Sequence, residues 1–233
     1  MAQPALAIMS RVPSPEGKSR LKDLLTPEQR ENLQWAFLLD TLDKVKQLPV
    51  FKCFIAAAPA GQVTRLTGAV GPGVEIILQP EGSLGQRMLS VTRHLFQRGY
   101  SPVMLIGTDV PVLPPAYLLE ALELLEHCQL VLGPAEDGGY YLIGMRSLYS
   151  RVFEDIAWGT DGVLQKTLAI CDSQNITHGL LSYLRDIDRP ADLLAVAEQM
   201  KQIKAEPLPI RTVNFLQFVL NDYLLKEGMN CNG

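Results

Sequence analysis

The chain has 233 residues, is 47% hydrophobic and carries a formal charge of -4. That supports one sizeable core, and the mild acidity, with no basic tract, excludes a nucleic-acid polymer as partner. No apolar run approaches the length of a membrane span, so no membrane partner is expected. The opening residues MAQPALAIMSR lack the charged start and long apolar segment of a signal peptide. Cys53, Cys128, Cys171 and Cys231 are scattered without a C-x-x-C pair, which fits a reducing, cytoplasmic setting. His94, His127 and His178 have no metal-ligand spacing, so zinc is not expected.

Ala5 to Met9 reads as the first strand. Ser10 to Leu21 follows, with the turn residues Pro13, Pro15 and Gly17 and the cations Arg11, Lys18 and Arg20. It matches neither G-x-G-x-x-G nor the Walker spacing. Two readings fit it. One is a loop that wraps a polyphosphate, arginine giving forked hydrogen bonds and lysine a point charge. The other is an ordinary solvated basic loop. Thr26-Pro27-Glu28-Gln29 is a capped helix start, and Trp35, Leu38, Leu39, Leu42 and Val45 keep one apolar face to about Gln47. Phe51 to Ala58 and Val74 to Gln79 predict two further strands, with a short helix through Leu66 between them.

In Pro80 to Met88, PEGSLGQRM, Ser83 and Gln86 can form a capping box for a helix reaching about Arg98. Gly82 and Gly85 leave backbone amides open at that helix start for a ligand's acceptor groups, and Arg87 lies one turn in. The stretch that organises the chain is Pro102 to Pro111, PVMLIGTDVP. Val103 to Ile106 is a continuous apolar run, as in a strand buried on both faces. Asp109 stands at its carboxyl end, where open α/β sheets collect ligands. A lone carboxylate there suits a hard cation such as Mg²⁺, held jointly with substrate phosphates. It equally suits a turn or a helix cap.

Pro114 and Pro115 start a helix through about His127. Gln129 to Gly144, QLVLGPAEDGGYYLIG, places Glu136, Asp137, Gly138 and Gly139 between two apolar runs, a hairpin signal. Phe153 to Thr160 leads into a helix that Thr160 or Asp161 would cap. Trp158 beside Gly159 reads either as a core residue or as one closing over a ligand. Ser182 to Leu184 predicts a last strand. On a strand, Asp186 and Asp188 project to one face, where a cation between them would relieve their repulsion. The alternative is a helix cap at Asp188 and an arginine pair at Asp186. A helix follows to about Lys204. Pro207 and Pro209 then mark a boundary, giving a domain over 1–204 and an extension over 205–233. Ile210 to Lys226 reads as an amphipathic helix that docks on the domain or on a second copy, as in a homodimer.

Alternating strands and helices with a late hairpin predict an α/β fold: a mainly parallel twisted sheet, helices on both faces and an antiparallel part near one edge. The segments KSRLKDLLTPEQ, GSLGQRM, IGTDVP, LGPAEDGGYYLIG, FEDIAWGT and DIDRPADL occur in this order. Together, over roughly Ala5 to Lys204, they resemble the bacterial DUF2064 family of the nucleotide-diphospho-sugar transferase (GT-A) superfamily, often labelled glycosyltransferases. The first loop is also similar to that of the phospholactate guanylyltransferases. Ser19 and Arg189 stand where threonine is usual in the family.

The resemblance implies a role for each segment. Arg11, Lys18 and Arg20 would bind nucleotide phosphates. Gly82, Ser83 and Gly85 would lie by the base and ribose, with Arg87 nearby. Asp137, Gly138 and Gly139 would face the acceptor. Asp109 would match the superfamily's metal-binding aspartate, and Asp186 and Asp188 the second metal position. The expected activity is Mg²⁺- or Mn²⁺-dependent nucleotidyl transfer from an NTP to a small phosphorylated or acidic acceptor, with Lys18, Arg20 and Asp109 as the catalytic set. A glycosyltransferase using a nucleotide sugar is the alternative, and a non-catalytic nucleotide-binding protein the third reading.

Overall fold

A computed structural model describes residues 2–202 and 208–219. Among them β1 (Ala5–Arg11), β2 (Lys52–Ala58), β3 (Glu75–Leu78), β4 (Val103–Ile106), β5 (Leu130–Pro134), β6 (Tyr140–Met145) and β7 (His178–Leu180) build one sheet in the order β3-β2-β1-β4-β6-β5-β7. β3, β2, β1 and β4 pair in parallel, as do β5 and β7, whereas β6 runs antiparallel to both β4 and β5. The sheet is therefore mainly parallel with a late antiparallel pair, as the sequence pattern predicts.

Among the described residues five helices lie between the strands, α1 (Pro27–Lys46), α2 (Thr64–Val70), α3 (Leu84–Gln97), α4 (Pro115–His127) and α5 (Val163–Ser173), and α6 (Pro190–Gln202) follows β7. They cover both faces. Leu6 and Ile8 of β1 and Met104 and Ile106 of β4 join a cluster with Phe37 of α1, Leu118 of α4 and Leu193 of α6. The intervening Ala5, Ala7, Val103 and Leu105 join a second cluster with Val91 of α3 and Leu164 of α5. This explains why β4 is apolar at every position: each side chain has a protein face to meet. Burying one such side chain fully is worth roughly 1.5–3 kcal/mol over leaving it exposed.

Residues 210–219 are helical and pack onto α1. The Asp40 carboxylate accepts from the Thr212 amide at 2.8 Å, the Thr212 hydroxyl at 2.7 Å and the Arg211 amide at 3.2 Å. Leu216 and Val219 are buried in the α1-side cluster. The rest of the expected tail helix, residues 220–226, lies outside the described residues. No helix among those described is long and apolar enough to cross a membrane.

Two local expectations differ. α5 begins at Val163, with Gly162 at its cap and no side-chain cap bond. The Thr160 hydroxyl instead donates to the Ala157 carbonyl at 2.8 Å. The last strand is His178–Leu180, not Ser182 to Leu184: β7 pairs with Leu130–Leu132, and Pro134 further along β5 has no amide hydrogen to continue the ladder. Beyond it Leu184 keeps only a bridge to Ala135.

Candidate active site

The carboxyl ends of β1 and β4 open onto a cleft of about 520 Å³. It is lined by Arg11, Lys18, Arg20, Asp109, Asp186 and Asp188, together with Asp137 and Gly139 of the β5–β6 turn. The topology explains the gathering: neighbouring parallel strands release their following loops on one edge of the sheet. The loop after β7 then crosses back to reach the same edge, where the Ile187 amide donates to the Asp109 carbonyl at 2.8 Å. Ile187 is fully buried, while Asp186 and Asp188 on either side face the cleft. The alternation expected for that segment holds although the segment is outside the strands.

Lys18 is the centre of the arrangement. Its ammonium lies 2.9 Å from Asp109 Oδ1, 2.8 Å from Asp188 Oδ1 and 2.6 Å from the Ile187 carbonyl. Three acceptors thus meet its three donors. On the core side it stands 5.7 Å from the centre of the Phe37 ring. The side chain is only 9% exposed. Burial works to lower its pKa, but the Asp109 and Asp188 charges outweigh burial and raise it. Arg20 takes the other Asp188 oxygen at 2.8 Å.

The first loop is not an ordinary solvated one. Arg30 of α1 donates to the carbonyls of Gly17, Leu25 and Pro15, and Gln34 to that of Ser14. Lys18 itself adopts a left-handed backbone, φ 48°, ψ 42°, a conformation that costs a non-glycine residue roughly 1–2 kcal/mol. Sequence reasoning did not find Arg30 or Gln34, since a polar residue on a helix looks like part of a solvated face.

Asp186 has the other marked electrostatic feature. Burial, then the Asp137 charge, pushes its carboxyl up to about 6, with Asp188 adding to the effect. The alternative reading of this segment is not what is seen. Asp192, not Asp188, accepts from the Asp188 and Arg189 amides at the start of α6, and the arginine pair is Arg185 with Glu136.

The α3 start is arranged differently from the rest. Ser83 and Gln86 form the expected reciprocal capping box, and Leu84 and Met88, rather than Gly82, Ser83 or Gly85, line the cleft. Gly85 is needed for packing: a Cβ there would lie 2.4 Å from both the Phe153 carbonyl and Trp158 Nε1. Trp158 in turn stands edge-on to Tyr140, ring centres 6.1 Å apart, and both line the cleft. Gly138 has φ 89° and sits against the Asp161 carbonyl, leaving no room for a Cβ. Arg87 donates to Gln79 at 3.2 Å, and its Nε is buried without a partner. Burial, then the neighbouring Arg11 charge, lowers its pKa.

The donor set suits a divalent metal. Carboxylates from Asp109 and Asp188 converge on one point, with Asp186 beside them, and hard oxygen donors suit Mg²⁺ or Mn²⁺. Among the described residues there is no group of three or more acidic, histidine or cysteine side chains placed to hold a metal alone. The set therefore fits an ion that completes its shell with phosphate oxygens and water, the usual habit of Mg²⁺.

A family profile described as "Uncharacterized protein conserved in bacteria (DUF2064)" matches residues 41–160. The chain belongs to this family. Its fold is that of the nucleotide-diphospho-sugar transferases. A crystal structure from Desulfovibrio desulfuricans G20, described as a candidate nucleotide-diphospho-sugar transferase, is 28% identical, with a TM-score of 0.88 over 97% of this chain and 98% of that one. CMP:2-keto-3-deoxy-manno-octonic acid synthetase in complex with CTP superposes at TM-score 0.57 and 13% identity, over 86% of this chain and 99% of that one. Rv0371C of Mycobacterium tuberculosis H37Rv in complex with manganese gives 0.54 and 16%, over 84% and 98%. These last two are similar in fold alone. No curated protein sequence matches the chain.

Proposed function

We propose that this DUF2064 protein is a metal-dependent nucleotidyltransferase acting on an NTP and a small phosphorylated or acidic acceptor. The observation that carries the reading is the cation-lined cleft in which Lys18 joins Asp109 to Asp188. In this reading an acceptor oxygen attacks the α-phosphorus of the NTP. The bond from acceptor oxygen to phosphorus forms, the bond to the bridging oxygen of the β-phosphate breaks, and pyrophosphate leaves with that electron pair.

The protein supplies position and charge, not a nucleophile. Arg11 and Arg20 would bind the β- and γ-phosphates, with Lys18 at the charge that grows on the α-phosphate. Losing one such contact commonly costs on the order of 10²-fold in rate. A divalent cation on Asp109 and Asp188 would neutralise phosphate charge. The CTP and manganese in the two structural neighbours support a nucleotide and a metal in such a cleft, and no base is inferred from them.

The edge-on Trp158–Tyr140 pair favours a second reading, since an aromatic wall also suits a sugar ring. Products separate the two. Incubation with each NTP or nucleotide sugar, Mg²⁺ and a panel of sugar phosphates and hydroxy acids is expected to release pyrophosphate from one NTP. Release of a nucleoside diphosphate from a nucleotide sugar would favour glycosyl transfer instead. A Mg²⁺-dependent melting shift with one NTP, lost in Asp109→Asn, is the matching binding result. No shift with any nucleotide at millimolar concentration would overturn both readings.

A further inference from the structure

The ammonium of Lys18 stands at the point where two of the expected metal ligands converge. It has a full set of acceptors in Asp109, Asp188 and Ile187 and an aromatic ring behind it. Mg²⁺ binds oxygen at roughly 2.0–2.1 Å, whereas the two carboxylate oxygens here are held at 2.9 and 2.8 Å around nitrogen. A dication and this ammonium at that point would repel each other at contact distance. They cannot share it.

We propose that Lys18 is a resident counter-cation that holds Asp109 and Asp188 together and keeps divalent metal out until a polyphosphate draws its ammonium away. This rests on the nucleotidyltransferase reading and adds an order to it: phosphate and metal arrive together, and neither binds well alone. Two further observations support it. The Asp109 side chain is 47% exposed and reachable from the cleft. Arg11 and Arg20 line the same cleft and would hold a polyphosphate beside the ammonium it is to attract.

The test uses metal without nucleotide. Free Mn²⁺ is followed by electron paramagnetic resonance during titration of the wild type and of Lys18→Met, with Lys18→Gln as a second variant and circular dichroism as the folding check. The Lys18 variants are expected to bind Mn²⁺ at least tenfold more tightly than the wild type, and adding Asp109→Asn should abolish the gain. In thermal melts, Mg²⁺ and tripolyphosphate together should raise the wild-type melting temperature by more than their separate shifts combined, while Mg²⁺ alone should raise that of Lys18→Met. Equal Mn²⁺ affinity in wild type and folded variants would overturn the proposal, as would variants that bind none. Neither result touches the functional reading, which stands or falls on NTP binding and pyrophosphate release by the wild type.

Discussion

The amide of Ile187 donates to the carbonyl of Asp109 at 2.8 Å. This one backbone bond sets the register between the loop after β4 and the loop after β7, and so fixes where Asp188 meets Lys18. Side-chain variants in the acid pair should therefore leave the loop crossing in place and report on charge alone.

Asp188→Asn should be the more costly of the two acid substitutions without metal. It removes a carboxylate that serves both Lys18 and Arg20, whereas Asp109→Asn leaves Lys18 its Asp188 partner. An unmatched buried cation costs several kcal/mol at worst. Because Asp188 is 33% exposed, about 1–2 kcal/mol is expected after solvent screening. Urea denaturation in chelator should rank stability as wild type, then Asp109→Asn, then Asp188→Asn. The reverse order of the two variants would show that Lys18 depends mainly on Asp109.

Two glycines beside the cleft should behave oppositely. Gly85→Ala must displace the Trp158 indole or the Phe153 carbonyl, and overpacking of this kind typically costs about 1–3 kcal/mol. Its tryptophan emission should shift as well. At Gly107 a Cβ would meet nothing within 4 Å, so Gly107→Ala should melt close to wild type. Equal melting temperatures for the two variants would contradict the tight Gly85–Trp158 contact.

Lys44 predicts a pH effect. It is buried in α1 and donates to the carbonyls of Pro111 and Leu113, just beyond Asp109. Burial lowers its pKa from 10.5 to about 8, against the opposing pull of Asp40. Below pH 8 both folded and unfolded chains carry the charge, and the burial cost is fully present. Between pH 8 and 10.5 the unfolded chain holds the proton and the folded one does not, so this group's contribution to stability rises with pH. Buried Cys53 and Cys171 act the other way, pushed from 9.0 up to about 11, so the folded chain keeps protons that the unfolded chain loses. The wild type should accordingly stay near level from pH 8 to 9, while Lys44→Met declines. The gap between them should move by about 1 kcal/mol over that unit. Parallel denaturation curves would place the Lys44 pKa outside the window.

The C-terminal helix should be part of the folding unit. Asp40 receives four hydrogen bonds from Arg211 and Thr212, and Leu216 and Val219 fill the α1-side cluster. Truncation after residue 204 should lower stability by at least about 3 kcal/mol, from lost burial alone. Asp40→Ala should cost about 1–3 kcal/mol by leaving the Thr212 donors unmatched. A truncated chain with unchanged melting temperature would mark the helix as an appendage.

What was legible in the sequence was local. β4 and Asp109 announced themselves because a strand buried on both faces needs an unbroken apolar run, and α1 and α3 because a capping box lies within four residues. What was not legible depended on distant partners. Lys18 and Asp188 are 170 residues apart, and nothing near Lys18 says that its charge is buried. Arg30 does its work on carbonyls of a different segment. The start of α5 is not legible because the Thr160 hydroxyl donates to the Ala157 carbonyl instead of accepting from a helix amide, nor is the extent of β7, because Pro134 of its partner strand has no amide hydrogen to donate.

The return of the chain from β7 to the end of β4 has a consequence for biosynthesis. Chains are made from the N-terminus at about 5–20 residues per second, so Lys18 and Asp109 leave the ribosome well before Asp188. A nascent chain can pair β1 to β6 with its lysine facing a single carboxylate. Only when the Ile187 amide reaches the Asp109 carbonyl does the second acid arrive, so binding competence waits until the segment after β7 has emerged.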